Sequence, residues 1–569
     1  MDAVTKMTES NERDSVSDRP ETEVRPRQKP FLRRAAISAI TGILAIAVVQ
    51  YFAPDYDYQI AFILCVLIAI ISLGLTLFFL ERAAWRVGHP WIVPLATLAI
   101  AVLLVSLVRI RTLSGEMIPQ LEWRFTSRDV PELQRSVVQS PAITDQADRS
   151  EMDPAAASDE PTGDDDLAGW TQFLGEHRTG IVADRKFAIP QSPSDVETLW
   201  NIGIGAGWSS FAISGEYAVT LEQRDERECV TAYRISDGEL LWIVDHEAVH
   251  THPLGETGPR STPTIDDGRV YAQGATGMLW CLDLASGDVI WQVDLLELAD
   301  WDQAESESAI TWGRSGSPLL VDGLCVVPFG ADSDRDGRSL VALSAEDGEV
   351  RWTAGDDQIS YASPQLLTLA GQRQIVIVNE KTISGHAIDS GAQLWQTKWS
   401  GQSNGAANCS AVVPAGENRF LIGKGYGGGS ALIEVQRSES GDGFVAEDVW
   451  HSSRVLKTKF NHAVTRDGVA YALSNGALQA IELESGRRLW EQSRRSRSGQ
   501  GQVILAGDTL IVQEEMGDIL LVAADPSEYR EQLRLPALDH KTWNVPSLVG
   551  DVLLIRNSVQ AMALQLPAQ

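Results

Sequence analysis

Apolar residues follow two different rhythms along this chain. Near the start they run uninterrupted by charge over residues 35–53, 59–80 and 90–108. Beyond residue 169 they come in short alternating bursts, the period of two that marks strands with one face buried. At about 1.5 Å of rise per residue, each early run can cross a hydrocarbon core of roughly 30 Å, so three transmembrane α-helices are expected. The first run lies too far behind a polar tail to be a cleaved signal peptide.

The later rhythm repeats. Residues 267–291, DGRVYAQGATGMLWCLDLASGDVIW, read as three short strands broken at Ala275-Thr276-Gly277 and Ser286-Gly287-Asp288. The part from Cys281 to Trp291 has counterparts of the same length at 232–242, 342–352, 385–395 and 480–490. In all five a glycine stands four residues before the tryptophan: Gly238, Gly287, Gly348, Gly391 and Gly486. Glycine supplies the backbone freedom of a tight turn. The tryptophans (Trp242, Trp291, Trp352, Trp395 and Trp490) can each bury a large ring between neighbouring units. Degenerate copies end at Trp450 and Leu533, and an eighth hairpin, residues 550–566, runs out of chain before its last strand. The missing strand stands at the front, where residues 195–203 carry Trp200 outside any preceding repeat. Four strands per unit with first-to-last closure predict an all-β, eight-bladed β-propeller over residues 169–569.

These repeats resemble the pyrroloquinoline-quinone (PQQ) type propeller repeat, in which an A-x-D-x-x-T-G-x-x-x-W docking sequence recurs. The resemblance covers roughly residues 170–569 and specifies fold far more than activity. Two kinds of relative frame what it implies. Membrane-bound quinoprotein dehydrogenases join N-terminal spans to an exported propeller, whereas the outer-membrane-protein assembly propeller binds proteins and holds no cofactor.

Charge orients the chain. Arg25, Arg27, Lys29, Arg33 and Arg34 precede the first run, Arg82 and Arg86 separate the second from the third, and loop 54–58 has no Lys or Arg. The positive-inside rule places the N-terminus in the cytoplasm and the propeller on the periplasmic side of a multi-pass cytoplasmic-membrane protein. Arg109 and Arg111 run against that rule. Residues 1–34 should form a disordered cytoplasmic tail. Residues 109–168 should form a linker whose acidic second half, 145–166, is a self-repelling, flexible spacer. A formal charge of −30 argues against nucleic-acid partners.

Candidate chemistry gathers where each blade's innermost strand begins. Trp208, Arg260, Trp312, Arg314, Tyr361, Lys459, Asn461, His462, Gln502, Lys541, Trp543 and Asn544 are expected around the channel mouth, a basic and aromatic funnel suited to an anionic or planar ligand or a peptide carboxylate. Quinoprotein chemistry would need Ca²⁺ held by carboxylates and amides and a catalytic Asp. The ring offers only Asn461 and Asn544 as such ligands, and the chain has no vicinal cysteines. His246-Glu247-x-x-His250, with His252 nearby, matches a zinc-protease pattern but lies in a blade connector without a helical frame. Asp332, Asp334 and Asp336 begin like a calcium loop, though Leu343 occupies the position of the bidentate Glu, and a hairpin tip fits as well. The Gly-rich stretch 425–430 joins strands, not a strand to a helix. The expected function is a membrane-tethered, non-catalytic binding or scaffolding module for exported or envelope proteins, with no cofactor. The alternative is a PQQ- and Ca²⁺-dependent oxidoreductase.

Overall fold

The structure is a computed structural model that describes residues 29–53, 57–127, 130–134, 169–331, 337–439, 441 and 443–569. The candidate calcium loop Asp332, Asp334 and Asp336 and the acidic spacer 145–166 lie outside the described residues. Two compact units separate, one of residues 1–50 and 63–108 and one of residues 51–62 and 109–569.

The first unit is helical. Helices α1 (Lys29–Phe52) and α2 (Tyr58–Trp85) have 24 and 28 residues, lengths of about 36 and 42 Å. Helix α3 (Ile92–Leu107) has only 16. Among the described residues two helices, not three, are therefore long and apolar enough to cross a membrane. The third expected span ends early because Val108 turns extended and enters a hairpin made of β1 (Val108–Leu113) and β2 (Pro119–Trp123). Arg109 is paired there with Glu122 at 3.0 Å, and Arg111 with Asp539 at 3.4 Å. The two arginines that break the charge rule thus have carboxylate partners.

The second unit is an eight-bladed β-propeller. Blades one to seven are antiparallel four-stranded sheets in chain order, within residues 212–247, 264–294, 319–354, 365–398, 413–452, 464–491 and 502–535. Blade seven gains a short parallel strand, Ile181–Val182. Blade eight takes three strands from residues 547–565 and its fourth from Glu197–Gly203, where Trp200 pairs with Ala563. Cores form between blades: Trp291, Leu279 and Cys281 of blade two pack with Cys325, Val327 and Leu343 of blade three.

The tryptophans show how blades are locked. Each outer-strand indole N–H donates to a backbone carbonyl in the next blade's turn: Trp200 to Ile235 (2.8 Å), Trp242 to Leu284 (2.9 Å), Trp291 to Ala345 (3.1 Å), Trp352 to Ile388 (3.0 Å), Trp450 to Leu483 (2.9 Å) and Trp490 to Asp525 (2.7 Å). The repeat glycine lies flat on the same ring. A methyl group at Gly348, whose φ is +75°, would sit 2.9 Å from Trp291. The glycine is fixed twice, by its backbone and by the ring it touches. Trp395 departs from the pattern. The hairpin of blade five is long and has no such turn, so this indole bonds Gln374 in its own blade and stacks on Phe420 at 5.8 Å.

The HExxH segment is not helical. His246 and Glu247 end the strand Leu240–Glu247, with His246 Nε2 3.3 Å from Glu228, while His250 is buried in the following loop.

Candidate functional site: an axial chamber crossed at both ends by the chain

The innermost strands enclose a cavity of about 420 Å³. Of the residues expected at the mouth, Trp208, Arg260, Trp312, Tyr361, His462, Gln502 and Trp543 line it. Their rings form a belt, with centroids 4.9 Å apart for Trp208–Trp543, 4.9 Å for Phe460–Trp543 and 5.4 Å for Trp312–Tyr361. Burial pushes the Arg260 guanidinium down to about 10, and its hydrogen bonds go to the carbonyls of Gly255 (2.7 Å) and Gly258 (2.8 Å).

The other expected residues are turned elsewhere. Arg314 points into blade three, donating to the Phe329 carbonyl and lying over Trp301. Asn461 donates to Gly501 (3.3 Å) and Asn544 to Ser209 (2.6 Å), so each amide ties its inner strand to the next blade. Lys459 and Lys541 are buried and engaged by other parts of the chain.

Those parts cap the mouth. The β1–β2 tip brings Leu113, Ser114, Gly115 and Met117 to the chamber, and Gln59 joins them from the first turn of α2. Lys459 Nζ lies 3.6 Å from Asp57 and donates to Gln59 at 3.1 Å. Lys541 is 2.6 Å from Glu256 and donates to the Leu113 carbonyl at 3.1 Å, while Thr112 donates to the same Glu256 at 2.7 Å. Arg497 reaches both Glu116 oxygens, at 2.8 and 3.0 Å, a bidentate fork. Glu515 accepts from the Gly115 amide and from the Trp543 indole. Only glycine fits at that tip, because a Cβ at Gly115 would lie 2.7 Å from Gln500 and 2.9 Å from Phe460. Burial raises the Glu116 carboxyl against Arg497, and lowers Lys459 and Lys541 against their acidic neighbours. These are desolvated charges that need their partners.

A second segment closes the far end. Trp170, Thr171 and Gly180 accept backbone bonds from Ile213 (2.8 Å), Ile265 (2.7 Å) and Leu505 (2.8 Å). Arg178 donates to Ser317 and Pro318 carbonyls at 3.1 and 2.9 Å and accepts from Gln365 through its own carbonyl. The segment so crosses the inner strands of five blades. Its Phe173 lines the chamber, 5.1 Å from the His462 ring.

The sequence reading missed Asp57, Gln59, Glu116, Glu256, Glu515, Arg497 and Phe173. The sequence reading of loop 54–58 turns only on its lack of positive charge, whereas Asp57 lies 3.6 Å from Lys459.

Quinoprotein catalysis would ask the chamber for carboxylates. Among the described residues, its wall holds no Asp or Glu. Burial pushes the Cys409 thiol up to about 12 and His462 down to about 4, and His462 Nδ1 accepts from the Ala411 amide. A hard Ca²⁺ needs six to eight oxygen ligands, carboxylates prominent among them, and no such set faces this cavity. The five cysteines are free. These residues do not fit PQQ and its calcium.

Eight four-stranded blades, joined by tryptophan-on-glycine docking and closed by the first strand on the last, define a PQQ-type β-propeller. Its nearest description comes from the matching family model. That model, described as outer membrane protein assembly factor BamB, matches residues 226–450 and 380–566, and the chain belongs to this family. It is 24% identical over 314 residues to the BamB of Shewanella oneidensis, covering 53% of this chain and 73% of that one. To the BamB of Yersinia pestis it is 26% identical over 316 residues, covering 52% and 73%. The solved quinohemoprotein alcohol dehydrogenase of Comamonas testosteroni shares the fold, with TM-score 0.51, 11% identity, and coverage of 71% of this chain and 81% of that one.

Proposed function

We propose that this protein is a membrane-tethered, exported propeller that binds envelope proteins and catalyses no reaction. The observation that carries the reading is the chamber. Where quinoprotein chemistry would sit, the wall has no carboxylate and the chain's own segments occupy both ends. Relatives named as outer-membrane-protein assembly factors support an envelope protein as partner. Helices α1 and α2 supply the tether; the arginines before α1 and after α2 favour a cytoplasmic N-terminus and a cytoplasmic α2–α3 turn, so in this reading α3 and the first residues of β1 carry the chain across once more to a periplasmic propeller. With Lys459, Lys541 and Arg497 engaged internally, partner contacts lie away from the capped mouth.

Two assays test this. Crosslinking in cells followed by capture of the full chain should recover a defined set of envelope proteins. Dye reduction by the same preparation with added PQQ and Ca²⁺ should stay at background; alcohol-dependent reduction without specific capture would reverse the assignment. A reporter active only outside the cytoplasm should work when fused after residue 168 and be silent after Arg86. The opposite pattern would place the propeller inside.

A further inference from the structure

We infer that the β1–β2 hairpin is a second membrane contact, seated in the lipid headgroup interface by Ile110, Leu121, Trp123 and Phe125. The inference rests on the tethering proposed above and adds a lipid-binding surface to it. These four side chains are 63%, 68%, 61% and 77% exposed, although all are large and apolar. Ile110, Leu121 and Trp123 lie on one short hairpin and Phe125 two residues past its end, whereas exposed apolar residues of the blades, such as Val289 and Val445, are scattered over separate outer strands. An aromatic and aliphatic patch of this kind marks an interaction surface.

Chain length says what covers it. Helix α3 runs straight into β1, and its 16 apolar residues reach about 24 Å, some 6 Å short of a roughly 30 Å hydrocarbon core. If α3 starts at one interface, its end falls about 6 Å short of the opposite one, a gap the first two residues of β1 cover at about 3.3 Å each, so the hairpin reaches headgroup depth near Ile110. Trp and other amphipathic rings are enriched there. The polar groups of the hairpin suit that depth. Arg109 is satisfied by Glu122, Arg111 by Asp539, and Thr112 by Glu256. The tip is committed to the propeller through Gly115 and Glu116. Lipid is the occupant that fits the base of the same hairpin.

The test uses the full chain in phosphatidylcholine–phosphatidylglycerol vesicles, with an environment-sensitive fluorophore on Phe125→Cys. Leu73→Cys in α2 and Val445→Cys on blade five serve as references, and mass mapping confirms the labelled thiol. Phe125 is so exposed that its loss should leave folding unchanged, which the melting curve checks. The expected result is a blue-shifted emission at 125 quenched by shallow doxyl lipid, with 73 quenched by deep doxyl lipid and 445 only by iodide. Quenching at 73 by lipid but at 125 by iodide alone overturns the hairpin contact and leaves the tether standing. Protection at 125 that follows protein density, not doxyl lipid, assigns the patch to a second protein and also overturns it. Loss of lipid quenching at 73 removes the tether, and the inference with it.

Discussion

Replacing Gly348 by alanine tests whether blades are held by the tryptophan–glycine contact or only by the turn's backbone. The added Cβ meets two penalties. At φ +75° an L side chain costs about 1–2 kcal/mol. The methyl would also sit 2.9 Å from two Trp291 ring carbons, well inside the ~3.5–4.0 Å of ordinary contact, and such overpacking costs roughly 1–3 kcal/mol. Gly348→Ala should therefore lose about 2–5 kcal/mol. Trp291→Ala should lose about 3–5 kcal/mol, since it empties an inter-blade pocket and removes one donor of the Ala345 carbonyl, which keeps the Tyr271 hydroxyl at 3.0 Å. The two effects should not add. With the ring gone, only the backbone penalty remains, and Gly348→Ala in that background should cost about 1–2 kcal/mol. Urea unfolding of the detergent-solubilised chain, followed by circular dichroism, measures all three variants. Costs that sum to within about 0.5 kcal/mol would refute the direct contact and leave the glycine as a turn residue alone.

Three further outcomes are expected. Glu116→Ala strands the Arg497 guanidinium and loosens the cap, so Cys409 in the chamber wall should take a maleimide at least roughly 10-fold faster, read by peptide mass mapping; an unchanged rate would mean the cap does not control access. His462 has a folded pKa of about 4 against 6.5 unfolded, so the unfolded chain binds the extra proton between those values. Its contribution is intact above pH 6.5, is lost as pH falls towards 4, and amounts to about 3 kcal/mol; His462→Asn should flatten that part of the pH–stability curve, and an identical curve would refute it. Arg314→Gln should lower stability by about 2 kcal/mol or more without altering partner capture, because the guanidinium serves carbonyls inside blade three; impaired capture at unchanged stability would return Arg314 to the mouth.

The fold was legible because propeller repeats write their contacts locally. A turn glycine, a tryptophan four residues on and alternating strands sit within one short window, and the orphan Trp200 announced the closure. The mouth was legible only in part. Trp208, Arg260, Trp312 and Trp543 could be placed at strand starts, but strand position does not say where a long side chain goes. Arg314 and Lys459 resemble each other in sequence, yet one enters its own blade and the other meets Asp57 from a loop 400 residues away. Pairings at that distance leave only charge complementarity as a trace. The third helix was misjudged for a related reason: hydropathy continues through Val108, while the pairing of β1 with β2 ends the helix.

The closure of blade eight constrains the order in which the molecule can come together. Its outer strand, Glu197–Gly203, emerges before every other strand of the eight sheets except the short Ile181–Val182, and its partner, Gln560–Gln565, follows only after all seven other blades. Joining ends separated by about 360 residues carries a loop-closure entropy of about 5 kcal/mol if the intervening chain is unstructured. It carries far less once seven blades have already curved the chain back on itself. Early in biogenesis the strand therefore waits as an open edge, with its ladder groups unmet and prone to pairing wrongly. A chain that stops short of residue 560 would keep that edge for life, so loss of the Gln560–Gln565 strand should be read out as aggregation during export sooner than as a missing binding surface.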